Sequence, residues 1–182
     1  RWGTAEQCNT IAPAYQDMMT ARDNLASNSP GRAKLDRALN LLGPPDQPNG
    51  IEVKVTTQTA LGDAVTTGFI HKKTTIRINL NAVSNITAMF KDTTTAAVTA
   101  GVLVHESTHG ADGRARIPDN SARDEMGYEL RAATAESFVF EGLHTNSPWR
   151  TWTVADGRDL ARITLEAEAS TYIWCTGNPL CR

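Results

Sequence analysis

Three observations predict an α+β domain in which helices are followed by a small sheet and then by helices again. Apolar residues recur at helical spacing through residues 8–42, alternate with polar ones between residues 51 and 80, and return to helical spacing from residue 96. Helical and strand segments are thus segregated along the chain, which is the α+β pattern and not the βαβ one. With 182 residues, 40% of them hydrophobic, the chain can bury one real core, so residues 1–182 read as a single domain.

The first helix carries Cys8, Ile11, Tyr15, Met18 and Leu25 on one face, and Thr4 with Gln7 has the form of a capping box. Pro13 lacks the donor a helix interior needs, which puts the regular start near Ala12. Ser29 followed by Pro30 is a cap and first-turn pair for a second helix, with Ala33, Leu35, Ala38, Leu39 and Leu42 as its buried face and Gly43-Pro44-Pro45 as its stop. Ile51, Val53 and Val55 alternate with Glu52, Lys54 and Thr56, and Ile76, Ile78 and Leu80 with Thr75, Arg77 and Asn79. Gly68–Lys72, turning near Lys73, is the expected partner strand in a small, mostly antiparallel sheet. Asp92–Thr95 offers several caps for a helix over Ala96–Asp112, which is apolar on nearly every side before His105 and should be buried. Ser121 opens a long helix to about Gly142, and Asp156 opens a last one that Gly177 and Pro179 end.

Charge excludes some function classes. The net charge is -2, with acidic and basic residues mixed along the chain, so neither nucleic acid nor an anionic membrane surface has electrostatic support as a partner. The longest apolar run, near Ala96–Val104, falls far short of the ~20 residues that span a bilayer. Cys8, Cys175 and Cys181 form no CxxC, which argues against a cysteine zinc site and leaves one thiol over after any pairing. Asn85-Ile86-Thr87 has the form of a glycosylation sequon and reads as a chance occurrence. A chain that opens on Arg1 without a signal-like segment is expected to be a processed protein or a domain of a longer one.

The chemistry is carried by Val104-His105-Glu106-Ser107-Thr108-His109-Gly110, an HExxH sequence. Residues four apart share a helical face, so His105 and His109 can direct two imidazoles at one ion. Zinc accepts imidazole nitrogen and favours four ligands. Glu106, about 100° further round the helix, lies beside such an ion and can act as general base on a water held there. The bland alternative is a buried helix with two packed histidines. Burying two imidazoles and a carboxylate after so apolar a run costs several kcal/mol unless something pairs them, and a metal ion does.

This segment resembles the active-site helix of the zincin metallopeptidases. The likeness is specific over His105–His109, supportive to about Leu143, and silent on residues 1–60. It implies zinc-dependent hydrolysis of a protein or peptide substrate, by an endopeptidase sooner than an exopeptidase. It also implies an edge strand just before the helix where extended substrate pairs, for which Thr75–Leu80 is the expected segment. The metzincin continuation HExxHxxGxxH is not met, since Asp112 and Ala115 stand where its glycine and third histidine would be. The gluzincin branch takes a glutamate from the next helix. Glu129, twenty positions after His109 and followed by Ala132-Ala133, fits that pattern best, with Glu136 two turns on as the rival. Glu125 falls on the same stripe, in the first turn, where a solvated carboxylate suits the helix dipole.

Weaker candidates surround these. Asp112, one turn after His109, could orient a ligand imidazole, or be a solvated helix end. Tyr128 and His144 could donate to the oxyanion of a tetrahedral intermediate, although surface or packing roles compete. Trp149 and Trp152 read as packing, and His71 as a strand residue. The compact architecture also resembles metallopeptidase effector domains at the ends of bacterial toxin proteins, which implies secretion or delivery as an effector. The competing class is a zinc-stabilised binding domain without catalysis, against which Glu106 counts because a closed structural site gives it no task. Oligomeric state and cleavage specificity are not legible.

Overall fold

A computed structural model describes residues 5–44, 47, 49–57, 61–68, 72–89, 93–117 and 122–145. The element order among them is α1 (Ala5–Asn24), α2 (Pro30–Leu42), β1 (Ile51–Val55), β2 (Gly62–Thr67), β3 (Lys73–Ile78), α3 (Leu80–Met89), α4 (Thr95–Ala115) and α5 (Ala122–Gly142). The α+β class expected from the sequence is what the molecule has. The expected last helix, Trp149, Trp152, Cys175, Cys181 and His71 lie outside the described residues.

Helix α1 runs straight through Pro13 and does not begin at Ala12. Pro13 and Asn9, whose carbonyl loses its partner, are both exposed, so water can take up the freed group. Helix α2 starts as expected: the Ser29 hydroxyl accepts from the Arg32 amide at 3.1 Å, with Pro30 in the first turn. Its buried face is Gly31, Leu35, Ala38, Leu39 and Leu42, so Gly31 takes the place expected for Ala33. Phe138 of α5 lies so close to Gly31 that a methyl group there would fall 2.4 Å from its ring.

The sheet departs from expectation in two ways. It is mixed, not mostly antiparallel, with order β1-β3-β2, β1 parallel to β3 and β2 antiparallel to it. The partner strand is Gly62–Thr67, not Gly68–Lys72; Gly68 sits after it at positive φ. The segment expected at the edge is therefore the centre: β3 pairs on both sides, with Thr74, Ile76 and Ile78 fully buried. Only one face of the sheet is apolar. The other carries ion pairs, Glu52 with Lys54 and Lys73 at 3.2 and 3.0 Å and Asp63 with Arg77 at 2.6 Å. Helix α3 is an addition to the expected elements, and the Asn79 side chain accepts from the Ala82 amide at its start.

Helix α4 is the centre of the molecule, with Thr94 as its cap. One side packs on β2 and β3, the other on α1, α2 and α5. Every residue from Ala97 to Val104 is buried, as the all-round apolar sequence requires. Buried Thr99 and Thr108 satisfy their hydroxyls on the carbonyls four residues back, at 2.7 and 2.9 Å. Helix α5 runs antiparallel to α4, since Gly101 meets Phe140, His105 meets Glu136 and His109 meets Glu129. Gly101 lets the two backbones approach: a methyl group there would lie 2.8 Å from the Phe140 ring. Beyond His109 the helix continues for nearly two turns to Ala115, further than the sequence implied. No helix among the described residues is long and apolar enough to cross a membrane.

Candidate metal centre

The fully buried first half of α4 fixes the helix against rotation, and that presents the second half to α5 and β2 with a defined face. His105 and His109, four residues apart, bring their Nε2 atoms to 3.1 Å. The rings stand nearly edge to face, with centroids 4.8 Å apart and planes at 72°. From α5, Glu129 turns one carboxylate oxygen to each imidazole: Oε2 is 3.3 Å from His105 Nε2 and Oε1 3.4 Å from His109 Nε2. Ligand atoms of these three residues lie within 4.8 Å of one another.

Those separations test whether the residues suit a metal ion. Ligands at ~2.0–2.1 Å from a tetrahedral zinc are about 3.3–3.4 Å from each other. The two Nε2 atoms, 3.1 Å apart, and the contact of each with its own Glu129 oxygen, at 3.3 and 3.4 Å, are each close to that edge length. Hydrogen bonds serve the same arrangement poorly. If both Nε2 atoms carry a proton for Glu129, two N–H groups face each other at 3.1 Å, and if one is bare, a carboxylate oxygen loses its donor, so the two Nε2 atoms and the carboxylate cannot all be matched at once. One cation among them can satisfy all three. The donor set, two imidazoles and one carboxylate, is also that of open zinc sites.

Glu136 lies elsewhere than the rival role expected of it. Its Oε2 is 3.1 Å from His105 Nδ1, the nitrogen facing away from Glu129. The Glu136 side chain is 12% exposed, and there its carboxylate favours the tautomer that leaves Nε2 free to bind a metal. His109 is held differently. Tyr128 stacks on it, with ring centroids 4.7 Å apart and planes at 15°, and donates its hydroxyl to the His109 carbonyl at 2.9 Å. The Arg131 guanidinium lies over the Tyr128 ring, 5.5 Å from its centroid. His109 Nδ1 is buried and has no hydrogen-bond partner among the described residues.

Asp112 is not an imidazole orienter. It is fully buried, and its two oxygens accept from Arg37 of α2 and Arg131 of α5, each at 2.7 Å. Both guanidinium partners come from other helices, so the carboxylate ties α2, α4 and α5 together. Neither is the Tyr128 hydroxyl turned to a reacting group, because it is committed to the His109 carbonyl. His144 is exposed at positive φ, just past the end of α5. The end of α5 at Gly142 is thirteen positions beyond Glu129, about 20 Å of helical rise, and His144 follows it. Of the sequence candidates, the structure gathers His105, His109, Glu129 and Glu136 and leaves His144 apart.

No family profile, curated protein or solved structure matches the chain. What the site can do must therefore be argued from its own atoms.

Glu106 completes the neighbourhood. It is 7% exposed and stands against Gly62 of β2, whose position sequence reasoning missed. Burial raises the Glu106 pKa to about 7, against the opposing influence of His105 and His109. Burial disfavours protonation of His105, but Glu129 and Glu136 outweigh it and lift its pKa to about 10. Glu129 shows the reverse balance: burial raises its pKa, and the two histidines bring it well below the usual carboxylate range. These shifts belong to the protein without a cation, with a proton on His105 bridging carboxylates. A metal ion placed among the same atoms would displace that proton.

Proposed function

We propose that this chain is a zinc-dependent metallopeptidase of the zincin kind, with His105, His109 and Glu129 as metal ligands and Glu106 as general base. The observation that carries the reading is the convergence of two Nε2 atoms 3.1 Å apart on the Glu129 carboxylate, whose two oxygens lie 3.3 and 3.4 Å from them, one to each, with a buried carboxylate one residue from the first ligand. Zinc, when bound, would polarise the scissile carbonyl and acidify the attacking water.

The chain's own residues supply the rest. His105 presents Nε2 because Glu136 occupies its Nδ1. His109 is fixed by the stack on Tyr128. Glu106 is not among the three converging residues, and a buried carboxylate near neutrality can take the proton of the attacking water and deliver it to the leaving amine. Glu129, 37% exposed at its side chain, marks the side on which the centre opens to solvent and substrate.

Glu106→Gln tests the reading. The amide is nearly isosteric but cannot accept the proton. The variant should keep zinc and fold while turnover of a general protein substrate such as casein falls by about 10²–10⁴-fold, the usual contribution of a positioned acid or base. Undiminished turnover would remove Glu106 from the mechanism. Stoichiometric zinc in a wild-type protein that cleaves nothing would favour the zinc-stabilised binding domain instead.

A further inference from the structure

Glu106 depends on a residue that is not a residue with chemistry at all. A methyl group built on Gly62 would lie 2.8 Å from Glu106 Oε1, 2.9 Å from Glu106 Cγ and 2.9 Å from Val102 Cγ1. Nothing about the Gly62 backbone itself demands glycine, since it is not among the residues at positive φ. The requirement is spatial. The Glu106 side chain occupies the volume that any other residue at 62 would fill.

Three facts decide what would move if that volume were taken. Strand β2 is held in place, with Gly62 paired to Ile78 and the Leu61 carbonyl accepting from the Asn79 amide at 2.8 Å. Val102 is 2% exposed in the core, and its β-branched side chain has one strongly preferred rotamer in a helix. Glu106 has three side-chain torsions and a carboxylate at their far end. The part able to give way is therefore the Glu106 carboxylate.

We infer that Gly62 is a positioning residue for Glu106: the bare backbone of β2 sets where the carboxylate stands relative to His105 and His109. The inference rests on the metallopeptidase reading for its kinetic consequence, though not for its structural one. The three atoms nearest a methyl group at 62 belong to Glu106 and Val102 and none to His105, His109 or Glu129, so base placement is touched before metal binding at this position.

The test is Gly62→Ala, compared with wild type in zinc-loaded crystal structures, in zinc affinity by competitive titration, and in kcat and KM on a peptide substrate. A displacement on the order of 1 Å in a reacting group can cost roughly 10²-fold, so kcat should fall by about that factor. Zinc affinity and KM should stay near their wild-type values, and the Glu106 carboxylate should be displaced in the crystal structure. An unmoved Glu106 carboxylate overturns the inference whatever the rate. A rise in KM with kcat unchanged also overturns it, since Gly62 would then act on substrate. If wild type cleaves nothing, the peptidase reading fails, and the displacement of the carboxylate alone decides the positioning claim. Should Gly62→Ala not fold, the Gly62→Ala/Val102→Ala double variant, measured against Val102→Ala, removes the core conflict and keeps the one with Glu106.

Discussion

Replacing Glu136 separates a metal ligand from a residue that aims one. In Glu136→Ala, His105 Nδ1 loses the carboxylate 3.1 Å away, that of a side chain only 12% exposed. Leaving a buried N–H unpaired costs about 1–3 kcal/mol. If that cost is felt mainly by the tautomer that presents Nε2, zinc affinity should weaken by about 10–100-fold, which is the usual effect of removing such a partner and equals about 1.4–2.7 kcal/mol. Glu136→Gln keeps a carbonyl acceptor and should recover most of the loss. Glu129→Ala removes a proposed metal ligand whose two oxygens face the two Nε2 atoms, at 3.3 and 3.4 Å, and should weaken zinc by more than about 100-fold. Competitive titration against a chromophoric chelator measures all three. The reasoning is refuted if Glu136→Ala loses the metal while Glu129→Ala keeps it, or if Glu136→Gln is no better than Glu136→Ala.

Asp112→Ala should cost about 3 kcal/mol, the low end for breaking a buried ion pair, because Arg37 and Arg131 are 44% and 35% exposed at their side chains. Thermal melting should drop by roughly 6–12 °C for a chain of this size, with zinc stoichiometry of the folded protein unchanged. A loss of zinc affinity without a change in melting would instead restore Asp112 as an imidazole orienter. Apparent zinc affinity should rise with pH between about 6 and 9, roughly tenfold per unit for one proton released, because His105 without metal keeps its proton up to about 10 and must lose it to bind. A pH-independent affinity over that range would show that no such proton is displaced.

The part of the site legible in sequence is the part whose residues are fixed by one helix or by two adjacent ones. His105, Glu106 and His109 share α4, and Glu129 falls in reach because α5 follows after a short connection and runs back along it. The role of Glu136 was not legible, since its register against His105 depends on how closely α5 approaches at Gly101. Asp112 was misread for a similar reason: its partners, Arg37 and Arg131, come from α2 and α5, and no local pattern points to them. Strand β2 was displaced in the sequence reading because its α4-facing positions are Gly62, Ala64 and Thr66. Small residues there let α4 pack closely, and they erase the alternation of large apolar side chains that marks a strand. Helix α3 was hidden because Leu80 continues the alternation of β3 before the Asn79 cap turns the chain.

The arrangement of ligands can be measured without reference to any substrate. X-ray absorption at the zinc edge of the protein loaded with one equivalent should show a shell of nitrogen and oxygen only, at ~2.0–2.1 Å, with outer-shell scattering from two imidazoles. In Glu129→Ala the same two imidazoles should remain wherever zinc is still held. A sulfur scatterer at ~2.3 Å, or a shell with fewer than two imidazoles in the wild-type protein, would contradict a centre built from His105, His109 and Glu129.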